Sequence, residues 1–309
     1  MSSDTESSAR PSRSARRLIV AAPFLMAAVL FGLMGNSHDP DLYGPSILSW
    51  LVLQWLDPGS NAAHGWLIPV VSGYLVWRKR ADLAQAARAQ DLRGLFLILL
   101  LLVVYWVGYR SQQPRFGVVA FIGILWAVPL YLFGTAVARH LLFPCAYLAF
   151  AIPLGFLLPF TFQLRLASSA LATGLLQGFA VPVSRHGTAI LSSDGSFPPF
   201  DVADPCSGLN SLIALTALTA AYAYLTIRET RLRWLMFISA IPIAMACNMI
   251  RIAVVVLAAR SFGRDVAMTI YHDYSGYIVF VGAVLLVMGI GSFLRSGKVT
   301  RWLTRSARS

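Results

Sequence analysis

Apolar runs recur along this chain near residues 18–36, 63–78, 94–110, 116–135, 138–159, 207–227, 232–258 and 272–294. A helix crosses the hydrocarbon of a bilayer with about 20 apolar residues, within a range of about 17 to 25. Inside lipid, every backbone polar group must find its partner within its own structure. The runs therefore predict an all-α polytopic membrane protein of about eight transmembrane helices. The run at 63–78 is short for a span, and its neighbour 42–57 reads as a helix lying on the membrane surface. Residues 161–182 carry Gln163, Arg165, Ser168, Ser169, Thr173 and Gln177 at spacings that leave an apolar face. That pattern predicts a second interfacial or re-entrant helix rather than a full crossing.

Charge sets the orientation. The chain is 57% hydrophobic and 12% charged, with a net charge of +12. A basic balance can mark nucleic-acid binding, but no basic stripe here is interleaved with exposed aromatic residues, and that function class is excluded. The basic residues sit instead beside the apolar runs: Arg10, Arg13, Arg16 and Arg17 before the first, Arg78, Lys79 and Arg80 after the second, and Arg228, Arg231 and Arg233 in a short loop. Arg295, Lys298, Arg301, Arg305 and Arg308 close the chain. This is the positive-inside pattern. It predicts both termini in the cytoplasm, with loops 79–93, 136–140 and 228–233 also inside. Arg110 and Arg115 then fall outside. The expected organisation is a basic tail at 1–17, an integral membrane domain at 18–294 and a basic tail at 295–309. The run at 18–36 has no clean small-residue cleavage site after it and reads as a retained span rather than a removed leader.

The extracytoplasmic segment 183–205 holds two strand-like pieces around Ser193-Asp194-Gly195-Ser196, and Asp-Gly predicts a small hairpin there. The hairpin leads to Cys206. Asp204 can cap the following helix and Pro205 can occupy its first position. Cys206 then lies in the first turn, where the helix dipole favours a thiolate. Arg251 lies inside an apolar run. A buried Arg costs about 2.5 to 3.5 kcal/mol on insertion scales and marks function or pairing. Asn248, three residues earlier, shares its helix face. His272 opens the last run on the same outer side and can take a thiol proton. Cys206, Arg251 and His272 thus form a candidate catalytic set for cysteine chemistry, with Arg251 stabilising an oxyanion or orienting a carbonyl. Cys247, four residues before Arg251, is a possible second thiol but sits deeper and lacks a helix N-terminus. Cys145 reads as packing, His64 as lining, and His38 and His186 as loop residues. The three cysteines make no CxxC and no Cys/His metal spacing, so neither metal nor cofactor is expected.

The motifs that surround these residues resemble the exosortase/archaeosortase family of membrane cysteine transpeptidases. They are His-Gly-Trp-Leu-Ile-Pro-Val-Val-Ser-Gly-Tyr-Leu-Val-Trp-Arg-Lys-Arg at 64–80, Gly-Thr-Ala-Ile-Leu at 187–191, Pro-Cys-Ser-Gly-Leu at 205–209, Asn-Met-Ile-Arg-Ile at 248–252, and His272. The resemblance implies a protease that cuts secreted, membrane-anchored substrates at a C-terminal sorting signal. Such a signal has a Pro-Glu-Pro-like motif, a transmembrane helix and a basic cluster. The substrate passes through a Cys thioester to an acceptor in the cell envelope. The resemblance further implies a bacterial inner membrane, an active site toward the extracytoplasmic face, and the family's Cys, Arg and His at Cys206, Arg251 and His272. Asp-Pro precedes the cysteine where many relatives carry Glu-Ala, so a Val-Pro-Asp-Ser-Gly-type signal is as compatible as Pro-Glu-Pro. The competing reading is a non-enzymatic transporter or export component for exopolysaccharide or a lipid-linked substrate, with Arg251 on an anionic group. Such proteins show internal repeats and broken midplane helices, and neither is visible in this sequence.

Overall fold

A computed structural model describes residues 13–57, 62–153, 158–197, 199–201, 209–263, 266–267 and 273–295. Cys206 and His272 lie outside the described residues. The chain divides into two compact units, Met1–Pro153 and Leu154–Ser309.

The first unit begins with α1 (Arg13–Leu33), α2 (Pro40–Tyr43) and α3 (Ile47–Leu56). A 3-10 turn at Ala63–Trp66 leads into α4 (Leu67–Arg78) and α5 (Arg80–Gln85). Then come α6 (Leu92–Arg110), α7 (Pro114–Phe133) and α8 (Thr135–Tyr147), which ends in a 3-10 turn at Leu148–Ala151. The α6–α7 pair is a tight antiparallel hairpin. Asp91 caps α6 by accepting from the Arg93 N–H at 3.0 Å. Pro114 starts α7, where its missing N–H costs nothing. The two backbones approach so closely that a Cβ at Gly94 would lie 2.3 Å from the Tyr131 backbone nitrogen. Small residues at such contacts are how membrane helices gain packing without a hydrophobic drive between them. Away from α7, Phe96, Leu99 and Trp106 are exposed, a surface that suits lipid and not water.

The core of this unit joins Phe31, Trp50 and Leu51 to Val118, Ile124 and Val128. Phe31 packs edge-on against Tyr105, with ring centroids 5.0 Å apart. The helix expected to lie on the membrane surface at 42–57 is present as α3, started by a capping box between Ser46 and Ser49. One of its faces is nevertheless part of the core, through Ile47, Trp50 and Leu51. Three side chains from three elements then hold the end of α8. The Trp55 indole donates to Ala151 O at 2.8 Å, Arg115 Nε donates to Pro153 O at 3.0 Å, and a His64 ring nitrogen lies 3.2 Å from Phe150 O.

The second unit contains α9 (Leu158–Gly178), three short strands, α10 (Leu209–Thr226), α11 (Thr230–Phe262) and α12 (Asp273–Arg295). Helices α10, α11 and α12 pack on one another, and α9 packs on α11. Strands β1 (Val183–His186), β2 (Ala189–Ser192) and β3 (Phe200–Asp201) form an antiparallel sheet in that order. The expected hairpin around Asp194-Gly195 is the β2–β3 connection. An additional strand precedes it, and the tight turn is Gly187-Thr188, between the paired His186 and Ala189. Gly187 has φ +62° while Thr188 is not in the left-handed region, the pattern of a type II′ turn, which needs Gly at its first central position. Val183, Ile190 and Phe197 of the sheet region join Leu176 of α9 and Val255 and Val256 of α11 in one core cluster. The sheet therefore sits at the C-terminal ends of both helices.

Helix α9, expected to be interfacial or re-entrant, is not among the helices long and apolar enough to cross a membrane, and part of its polar side is buried. Its Ser168, Ser169 and Thr173 are buried, while Phe162 and Leu171 are exposed. A helix on a membrane surface shows its polar face to water, whereas this one turns polar groups toward protein. Among the described residues, four helices are long and apolar enough to cross a membrane: Leu92–Arg110, Pro114–Phe133, Thr230–Phe262 and Gly276–Arg295. Four apolar helices are shorter: Ala21–Leu33, Ile47–Leu56, Thr135–Ala151 and Ser211–Thr226. The expected span at 63–78 contains only the 12 residues of α4 as α-helix, about 18 Å at about 1.5 Å per residue, against a hydrocarbon core of about 30 Å. The protein is thus a mostly helical, multi-pass membrane protein.

Candidate functional site

Helix α11 has 33 residues. At about 1.5 Å per residue that is about 50 Å, so it extends well beyond a hydrocarbon core of about 30 Å. Arg251 lies eleven residues before its last residue, Phe262, or about 16 Å along the axis. The expected end of this helix at 258 is extended by one turn, which sets Arg251 correspondingly further from the helix end.

Arg251 faces the three-helix bundle. A cavity of about 20 Å³ lies among Ser211 of α10, Cys247, Asn248 and Arg251 of α11, and Gly276 and Phe280 of α12. That is room for about one water-sized group. A Cβ at Gly276 would sit 3.5 Å from Cζ and from one terminal nitrogen of the guanidinium. The bare backbone of α12 therefore lies directly against the charged group. One turn before Arg251, buried Asn248 donates from Nδ2 to Ser168 Oγ of α9 at 3.0 Å. Arg251, Asn248 and Ser211 thus line one small cavity. Fixed donors of this kind can stabilise negative charge on a carbonyl oxygen far better than water can, because they need not reorganise.

Of the three expected site residues, Arg251 alone is described. Cys206 precedes Ser211 by five residues, and His272 precedes Gly276 by four. Among the other candidates, Cys247 lines the Arg251 cavity. Cys145 belongs to α8 of the first unit. His64 is held in the first unit against Phe150 O. His186 is exposed at the end of β1, paired with Ala189. Among the described residues no three His, Cys, Asp or Glu side chains converge where a metal could bind.

Sequence reasoning did not single out two residues that line this cavity. Ser211 and Gly276 carry no chemical signal in a linear reading. Their only hint is spacing, one turn or slightly more beyond Cys206 and His272. It also missed an ion pair between the sheet region and α11. Arg260, near the end of α11, contacts Asp194 Oδ2 at 3.1 Å. Hydrogen bonds from the Ser192 and Ser196 hydroxyls and the Ser196 N–H, with Arg260 beside them, hold the Asp194 carboxyl well below the usual carboxylate range.

No curated protein and no solved structure matches this chain. The family model described as transmembrane exosortase matches residues 55–289, from inside α3 to inside α12 and across all three candidate site positions. Covering well over half of the 309 residues, the match shows that the chain belongs to the transmembrane exosortase family.

Proposed function

We propose that this protein is a membrane cysteine endopeptidase and transpeptidase acting on C-terminal sorting signals, with Cys206 as nucleophile, His272 as its base and Arg251 as oxyanion partner. The observation that carries this reading is the single cavity lined by Ser211, Arg251 and Gly276. The helices that follow Cys206 and His272 each bring a residue to the Arg251 cavity within five residues. In the proposed reaction His272 takes the Cys206 proton, and the thiolate attacks the scissile carbonyl. The carbonyl oxygen becomes negative and is held by Arg251. Collapse of the intermediate breaks the C–N bond, His272 returns the proton to the leaving amine, and a thioester remains on Cys206. An acceptor nucleophile in the envelope then releases the substrate, with water as its competitor. The proposed setting is a bacterial inner membrane, termini in the cytoplasm and the site toward the outer face, which is the side the basic loops avoid.

A tail-fusion substrate followed by its size shift tests the nucleophile. Cys206→Ser is expected to abolish processing at matched protein levels, because a hydroxyl needs stronger activation than a thiol. Cys145→Ala and Cys247→Ala are expected to retain it. Cys247 is the sharper control, since it lines the Arg251 cavity. Processing lost with Cys247→Ala and kept with Cys206→Ser would move the nucleophile to α11.

A further inference from the structure

Asn248 and Ser168 are 5% and 4% exposed, and their side chains meet at 3.0 Å between α9 and α11. Simple adhesion between two helices does not require such a pair. Small apolar residues pack as well, and an interhelical hydrogen bond in a membrane adds only modestly to stability. The position of the pair is more informative. Asn248 is three residues before Arg251, on the same helix face, and both line the cavity that also holds Ser211 and Gly276. With Nδ2 committed to Ser168, the amide oxygen of Asn248 is turned away from that hydroxyl.

Helix α9 is itself tied to the sheet that precedes α10. Ser169 Oγ lies 3.4 Å from Gly187 O in the β1–β2 turn, and Gln177 Nε2 donates to Val183 O at 2.9 Å. The buried polar side of α9 thus connects the sheet at one end to the helix face that carries Arg251. A helix sliding or rotating against lipid-like surfaces has few fixed stops, and a directional hydrogen bond supplies one.

We infer that Ser168, acting through Asn248, is a positioning residue that fixes the rotation of α11 and so the direction of the Arg251 guanidinium into the cavity. This inference rests on the proposed peptidase reading. Misplacement of a reacting group by about 1 Å can cost about a hundredfold in rate, and loss of one such stop is expected to cost about tenfold.

The test uses the full chain in proteoliposomes with a sorting-tail substrate. Ser168→Ala is expected to lower kcat about tenfold with KM changed by less than about twofold, since the loss falls on transition-state stabilisation. Ser168→Thr, which keeps the hydroxyl, is expected to retain most of the rate. In an Arg251→Lys background, Ser168→Ala is expected to add little, because the group it positions is already gone. The inference is overturned if Ser168→Ala turns over at the wild-type rate per folded molecule, if it lowers only the melting temperature or amount, or if its effect multiplies fully with Arg251→Lys. Processing that survives both Cys206→Ser and Cys247→Ala would reject the peptidase reading itself, independently of how Ser168→Ala behaves.

Discussion

Both units bury polar groups that serve backbone carbonyls, and the second also buries a pair of side chains that bond each other mid-helix. In the first, the buried polar residues sit near helix ends or serve backbone carbonyls. Asn36 donates to Gly44 O, Ser46 caps α3, and Ser72 donates to Pro144 O. The rest of that core is aromatic and aliphatic. In the second, Ser168 and Asn248 are buried mid-helix and bond each other beside Arg251. A polar group that caps backbone is needed for the helix to exist. A polar group that meets another side chain in the middle of a membrane helix is needed for something else, because the helix satisfies its own backbone there. On the proposed peptidase reading, the first unit is scaffold and the second carries the chemistry.

Arg251 gives the strongest way to break that division. Lys keeps the charge but loses the planar fork of donors. Arg251→Lys is expected to insert at normal levels and to process substrate about a hundredfold more slowly, the scale for removing one oxyanion donor. Quantitative membrane immunoblots beside the tail-fusion assay separate the two effects. Near-normal processing would leave Arg251 a structural tether and make the second unit as scaffold-like as the first.

Gly94 tests the other side at smaller effect. A Cβ there would meet the Tyr131 backbone at 2.3 Å, with no flexible side chain to yield. Gly94→Val should strain the α6–α7 hairpin by about 1–3 kcal/mol, the usual range for overpacking. Steady-state abundance should fall several-fold, while processing per surviving molecule stays normal. A drop in specific activity at matched abundance would show that the first unit takes part in the chemistry.

The sequence made the membrane class legible because apolar length and flanking Arg and Lys are one-dimensional signals. Arg251 was legible for the same reason: a charge in an apolar run has few innocuous explanations. Helix α9 was only partly legible, because amphipathicity does not say which face meets protein. Ser168 and Thr173 look like a wet face until α11 is seen to cover them. The sheet was half legible. Asp194-Gly195 announced a turn, but the tight turn fell at Gly187-Thr188, whose single glycine is a weaker signal than Asp-Gly. The Asp194–Arg260 contact joins residues 66 apart in sequence, and nothing local in either run announces it.

That contact carries the smallest prediction and the finest test of the comparison. Arg260 and Asp194 are partly exposed, and ion pairs of this kind contribute little because water and salt screen them. The sheet is seated mainly by Val183, Ile190 and Phe197 in the core cluster. Asp194→Asn should therefore change processing by less than about twofold at neutral pH. Its pH behaviour follows from the direction of the shift. The folded-state carboxyl titrates below its ordinary value, so any stability it contributes is present above the ordinary carboxylate range, near pH 4, and is lost only as pH falls through the lower folded value. Wild type and Asp194→Asn should then show parallel melting curves from about pH 5 to 8 and converge only in stronger acid. A large processing defect in Asp194→Asn at pH 7, with melting unchanged, would mean that the seat of the sheet is transmitted to the Arg251 cavity, and the machinery would extend to the outer rim of the second unit.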